Sequence, residues 1–336
     1  MSYVISIGEM LIDFIPERRM DTAEGSDACY HPHPGGAPAN VAVAIARLGG
    51  ASRFIGKLSE DTFGHMLAQV LRDNSVDTRY IRTTDRGPTA LALVTLQADG
   101  QRAFTFYREH TADVLLEVSD VDWHAWQDAV VCHAGSVSLS TEPCRSATLA
   151  AIEYTRQAGS IVSFDVNVRP AFWPSVEVLR ETLTKVIERT DILKLSAEEV
   201  HFLDASGHEP LQPIERSQLN ALGDALLEKG PRLVMITLGP QGALLMTQKH
   251  RVEVQAVPVR AIDTTGAGDA FMGAALYALI EQGCDSPAAL SQITESDLSR
   301  VGSFASKTSA LCCTRLGGIV SLPFIAEVNS FQVEST

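Results

Sequence analysis

Short apolar runs bounded by turn residues alternate along the chain with amphipathic stretches of helix length, the pattern of parallel strands joined by helical crossovers. Runs at 3–8, 52–55, 129–134, 161–165, 192–195 and 233–238 predict buried strands. Helical spacing predicts helices over 38–48, 64–74, 144–158, 176–190, 196–203, 217–229 and 268–282. The fold class is therefore α/β. One region breaks the rhythm: the β-rich runs 89–97 and 102–108, separated by Ala98-Asp99-Gly100-Gln101, predict an antiparallel hairpin. Residues 10–33 are also poor in helix pattern and are expected to supply strands to the same small sheet. The expected organisation is one domain over 1–336, with a lid built from two excursions of about 10–33 and 88–112.

Composition narrows the function classes. Of 336 residues, 45% are hydrophobic and 20% charged, which suits a chain that folds by burial. Lys and Arg total 27 against 41 Asp and Glu, a net charge of −14, and no basic block occurs that could track a phosphate backbone, so no nucleic-acid partner is expected. Any phosphorylated ligand must be held by local devices such as backbone amides and helix N-termini. The N-terminus reads directly as a strand without a leader, and the best apolar stretch, 267–280, contains Asp269 and falls short of the ~20 residues that cross a bilayer. Six scattered cysteines without a C-x-x-C pair fit a reducing compartment. The expected location is cytoplasmic, with no membrane partner.

The sharpest chemical feature is Asp263-Thr264-Thr265-Gly266-Ala267-Gly268-Asp269-Ala270-Phe271, set immediately before an amphipathic helix. Small residues let backbone approach a ligand, and the first-turn N–H groups with the positive helix end suit a phosphate. A carboxylate beside an anion site repels its ligand unless it has a task, and taking the proton of an attacking hydroxyl is such a task for Asp269. The structural alternative is that Asp263 caps the turn, Asp269 favours the helix dipole and the glycines serve packing. A second feature is Gly35-Gly36-Ala37-Pro38-Ala39-Asn40, where Pro38 suits a first helical turn and Asn40 can point a bifunctional amide into a cleft. A plain glycine turn entering a core helix explains that segment equally well. Cys29, His31 and His33 lack a second cluster to complete a metal site, and Cys312-Cys313 read as buried residues of a helix. No Walker A, G-x-G-x-x-G or G-x-S-x-G sequence occurs.

Together, Gly-Gly-Ala-Pro-Ala-Asn-Val-Ala near the start and Asp-Thr-Thr-Gly-Ala-Gly-Asp-Ala-Phe near the end resemble the ribokinase-like, or PfkB-type, carbohydrate kinases over essentially the whole chain. Phe104-Thr105-Phe106-Tyr107-Arg108, Ala112-Asp113-Val114-Leu115-Leu116, Asp165-Val166-Asn167-Val168-Arg169-Pro170 and Lys194-Leu195-Ser196-Ala197-Glu198-Glu199 are similar to the fructokinases of that family. The resemblance implies a three-layer α/β/α sandwich with a mostly parallel sheet and a small β-sheet lid, and phosphoryl transfer from ATP to D-fructose. Asp269 would be the general base, and the amides of Gly266, Ala267 and Gly268 the anion hole. Asp13, Gly35, Gly36 and Asn40 would hold sugar hydroxyls, with Arg108 and Arg169 facing substrate. Lys194, Ser196, Glu199, Thr237, Gly239, Gly242, Thr265 and Lys307 would form the nucleotide side. Mg2+ would arrive with ATP, since Ser196 replaces the Asn of the usual Asn-x-x-Glu. A monovalent cation, K+, would sit among Asp263, Thr265, Cys312, Gly317 and Ser321. A homodimer pairing two lids is expected from their open edges. Three other readings stay open: a 2-keto-3-deoxygluconate kinase if Arg108 and Arg169 bind a carboxylate, a ribose or riboside kinase, and a catalytically silent sugar- or nucleotide-binding protein.

Overall fold

In the computed structural model, residues 2–16, 20–22, 25–27, 29–96, 102–203 and 215–332 are described. The expected hairpin turn at 98–101 lies outside them. The chain opens with β1 (Tyr3–Ile7), whose side chains are almost all buried, followed by β2 (Leu11–Pro16), β3 (Met20–Thr22), β4 (Gly25–Asp27) and β5 (Tyr30–Gly35). Helix α1 (Ala37–Arg47) then leads to β6 (Ala51–Ile55) and the short β7 (Lys57–Ser59). Helix α2 (Thr62–Asp73) is capped by Asp61, whose carboxylate accepts the Gly64 amide at 2.7 Å. After β8 (Arg82–Thr84) come β9 (Leu91–Leu96) and β10 (Arg102–Tyr107), then β11 (Ala129–Gly135). From there strand and helix alternate: α3 (Cys144–Gln157), β12 (Ile161–Asp165), α4 (Val176–Ile187), β13 (Ile192–Ser196), α5 (Val200–Leu203), α6 (Arg216–Lys229) and β14 (Leu233–Thr237). The hairpin β15 (Ala243–Met246) and β16 (Arg251–Val254) precedes α7 (Ala267–Glu281), α8 (Pro287–Leu290), α9 (Glu295–Cys312) and α10 (Ile325–Ser330).

The large sheet has eight strands in the order β16-β15-β14-β13-β12-β11-β1-β6. Pairing is parallel from β14 through β6 and antiparallel only at the β15–β16 edge. Two cores cover its faces. Ile5, Cys132, Phe164, Leu193 and Ile236 pack on α3, α4 and α6, while Val4, Val131, Ile192 and Met235 pack on α1, α7 and α9. This is the expected three-layer sandwich: strands buried on both sides read as continuous apolar runs because neither face meets water.

A separate four-stranded sheet, ordered β10-β9-β2-β5, is built from the two expected excursions. The structure departs from the sequence expectations in several elements. The run 196–203 is not one helix: Ser196 stays extended and caps a 3-10 turn at Ala197–Glu199, closed by mutual bonds between Ser196 and Glu199, before the short α5. Of helix α9 the sequence reading covers only the C-terminal end at Cys312, because its Ser- and Thr-rich face weakens the apolar period; the capping box of Thr294 and Asp297 starts it. The edge strand β16 and its neighbour β15 are also absent from the sequence reading, since each is only four residues long.

Candidate active site

Two helices bring the motif residues together. Asn40 lies in the first turn of α1, its amide donating to the Gly36 carbonyl at 2.8 Å, and Asp269 lies in the first turn of α7. One turn further on, Gly273 of α7 lies against Ala44 of α1, where a Cβ on the glycine would stand 2.6 Å from that of Ala44. Residues four apart share a helix face, so this close approach also sets Asn40 beside Asp269. Asn40 Nδ2 donates to Asp269 Oδ2 at 2.6 Å.

The glycines of the second motif are conformational. Gly266, the N-cap of α7, has φ 79°, and Gly268 leaves space for Lys194, whose Nζ would lie 3.2 Å from a Cβ at that position. Gly266 and Gly268 line a cleft of about 610 Å3 at the carboxyl ends of the parallel strands, together with Asp13, Gly36, Asn40, Arg169, Lys194, Asp263, Thr265 and Asp269. The Ala267 amide, expected as a third donor, is bonded to the Thr264 carbonyl at 3.1 Å. Gly35 does not line the cleft; it ends β5 opposite Leu11, where a side chain would collide with the Asp13 carboxylate.

Electrostatics separate the carboxylates. Desolvation pushes Asp269 up to about 6; the Asn40 bond opposes this, Asp165 adds to it, and Lys194 and Arg169 pull it down. Asp165 is paired with Lys194 at 2.7 and 2.9 Å, both side chains being buried. Burial is the largest influence on Lys194 and disfavours its charge, yet Asp165, Glu199 and Asp269 together raise its pKa. Glu199 accepts the amides of Val168 at 2.6 Å and Ser196 at 2.8 Å, and burial raises its pKa.

Arg108 is a second correction. It was expected to face substrate, but it is buried, with Nε donating to Asp113 at 2.6 Å and Nη1 reaching the Val137 carbonyl and Ser140 Oγ, and it stacks over Phe172 at 5.1 Å. Of the expected nucleotide residues outside the cleft, Ser196 and Thr237 are register partners at the ends of β13 and β14. Gly239 (φ 54°) and Gly242 (φ 93°) shape the turn into β15. Lys307 holds its ammonium 5.9 Å from the centre of the Phe331 ring. The expected cation residues do converge: Asp263 accepts the amides of Thr265 at 2.8 Å and Gly317 at 2.9 Å, and Cys312 Sγ lies 2.9 Å from Ser321 Oγ and 3.7 Å from the Thr265 carbonyl.

Among the cleft residues to which the sequence assigns no role are two carboxylates, Glu9 and Asp165, and two aromatics, Phe104 and Phe106. A charged residue just past a parallel strand was the available signal for Glu9 and Asp165, since ligands of such sheets sit at those ends. Alternation puts Leu11 and Asp13 of β2 on the cleft face with Phe104 and Phe106 of β10. Phe106 meets Phe172 at 4.7 Å across the cleft wall.

Known proteins resemble this chain along nearly its whole length. The model of the pfkB family carbohydrate kinases matches residues 1–325. A probable fructokinase-3 of Arabidopsis thaliana is 40% identical over 332 residues, covering 98% of this chain and 90% of the relative. The crystal structure of a fructokinase with bound ATP from Xylella fastidiosa superposes with a TM-score of 0.87 at 34% identity, covering 98% and 97% of the two chains. A double-mutant fructokinase from Vibrio cholerae O395, bound to fructose, ADP and potassium ion, superposes at 0.82 with 34% identity and 99% coverage of both. The likeness spans both motifs, both sheets and nearly the full length, so the chain belongs to the pfkB family of carbohydrate kinases.

Proposed function

We propose that the protein transfers the γ-phosphoryl group of ATP to the 6-hydroxyl of D-fructose, giving ADP and D-fructose 6-phosphate. The observation that carries this reading is the Asn40–Asp269 contact at 2.6 Å beside Gly266 and Gly268 in one cleft. Asp269 takes the proton of the sugar hydroxyl as it attacks in line, while the amides of Gly266 and Gly268 and the positive end of α7 stabilise the charge that develops on the phosphoryl oxygens. Asp13, Asn40 and Arg169 hold the other sugar groups, and Lys194 faces the phosphoryl from beneath Gly268. The small sheet serves as the lid, with Phe104 and Phe106 closing over the sugar and excluding water.

Both Glu199 oxygens accept backbone amides and the Asp165 carboxylate is occupied by Lys194, so these residues do not form a direct metal cage. Among the described residues no cluster of three or more His, Cys, Asp or Glu side chains is placed to hold a metal. Mg2+ is therefore assigned to the nucleotide, where it neutralises phosphate charge when bound. The convergence of Asp263, Thr265 and the 312–321 segment supports K+ beside the anion hole, as does the potassium ion in the Vibrio cholerae relative.

Arg108 favours a neutral sugar over 2-keto-3-deoxygluconate, because its Nε is paired with Asp113 and the residue does not line the cleft. The test is ADP release with fructose, ribose, 2-keto-3-deoxy-D-gluconate and an aminoimidazole riboside, with and without K+. Fructose is expected to give the highest kcat/KM, and a higher value for any other acceptor overturns the assignment. The pH dependence is a separate expectation. Asp269 must be charged to act as a base and its pKa is pushed up to about 6, so kcat is expected to hold above that pH and fall towards tenfold per unit below it. A kcat that stays flat well into the acid range argues against Asp269 as the base.

A further inference from the structure

Most carboxylates of the cleft have visible partners: Asp269 has Asn40, Asp165 has Lys194, and Asp263 has the amides of Thr265 and Gly317. Glu9 differs. It follows Gly8 at the carboxyl end of β1, lines the cleft, is only 3% exposed, and its Oε2 makes no hydrogen bond. A buried carboxylate oxygen without a donor is costly, and persists where a ligand is meant to supply the donor. Behind the same wall stands a complementary orphan: Arg108 Nη2 also has no partner, although Nε and Nη1 are taken. The backbone holds Glu9 firmly in place, because Gly36 (φ 108°) packs so closely that a Cβ there would lie 2.6 Å from the Glu9 carbonyl oxygen.

We infer that Glu9 is a specificity-determining residue: its carboxylate accepts a hydroxyl of a neutral sugar and, by balancing Arg108, denies a sugar acid the cation it would need. This rests on the fructose reading and names the group that enforces it. The charges facing Glu9 are those of Arg108, from the segment after β10; Asp113, from the turn beyond it; and Asp269, from α7. With Arg108 set against Glu9 and Asp113, a substrate carboxylate entering this end of the cleft meets a net negative wall. Burial raises Glu9 to about 7, with Arg108 and its own amide opposing and Asp113 and Asp269 assisting. Its charge is therefore present above about 7 and lost below, and sugar affinity follows it.

Glu9→Gln keeps the shape and removes the charge. In this variant the KM for fructose is expected to rise about tenfold with kcat within about threefold, the size of one lost charge-assisted bond. The inhibition constant of 2-keto-3-deoxy-D-gluconate against fructose is expected to fall about tenfold. The dissociation constant of fructose, which in the wild type should rise as pH drops from about 8 to about 6, is expected to become flat. A merely structural Glu9 would lower the melting temperature of the variant without moving the sugar-to-sugar-acid ratio or the pH profile, and that outcome overturns the inference. A wild-type protein that fails to phosphorylate fructose would instead overturn the proposed function. Active wild type with an unaltered Glu9→Gln variant sinks this inference alone.

Discussion

Replacing Asp269 with Asn is expected to lower kcat by about 100- to 10,000-fold, the range that one positioned proton acceptor contributes. Asn is isosteric, and its side-chain oxygen can still accept from Asn40 Nδ2 where Asp269 Oδ2 now does at 2.6 Å. Melting temperature and ATP affinity should therefore stay close to those of the wild type while turnover collapses. The measurement is coupled ADP release at saturating sugar and nucleotide, with a thermal melt of the same preparation. Turnover within tenfold of wild type would remove Asp269 from the role of base. The amides of Gly266 and Gly268 remain in the variant, so residual turnover above the uncatalysed rate is expected from positioning and charge stabilisation.

The second large effect concerns stability. Lys194→Met leaves the Asp165 carboxylate buried without its partner, a change that typically costs about 3–5 kcal/mol. Both side chains are at most 5% exposed, so solvent does little to screen the orphaned charge. Adding Asp165→Asn should recover most of that loss, because two neutral groups replace one isolated ion. Denaturant midpoints of the single and double variants measure this directly, and a single variant within about 1 kcal/mol of wild type would show that Asp165 does not depend on Lys194. The double variant is also expected to stay poor in turnover, since Lys194 lies against Gly268, where the proposed function puts the phosphoryl group. Stability and activity thus separate the pairing of Lys194 from the role proposed for it.

Much of the candidate site was legible because its residues lie in two short local motifs. Pro38 in the first turn of α1 and the left-handed Gly266 before α7 are backbone requirements that show in the sequence itself. The pairing states of the charged side chains were not legible. The resemblance has Arg108 facing substrate, and the sequence does not show that Asp113, five positions on, pairs with it within the core. Nothing in the sequence singles out Glu9, and only its burial in the fold, beside the Gly36 turn and Arg108, gives it an unusual pKa. Lys307 reads as a nucleotide ligand, whereas α9 holds it against the Phe331 ring.

The α/β alternation, most of the strands and crossovers, the two glycine motifs and the excursions that build the small sheet are legible in the chain. These follow from local backbone preference and from the period of apolar positions, which need no distant partner. Tertiary structure alone decided that Asn40 and Asp269, 229 positions apart, share a proton-sized gap, and that β2 lies between β5 and β9. It also decided which carboxylates are desolvated, paired or left without a donor. The physical reason is that burial and Coulomb energy depend on which groups surround a charge in space, and packing two helices through Gly273 and Ala44 sets those neighbours.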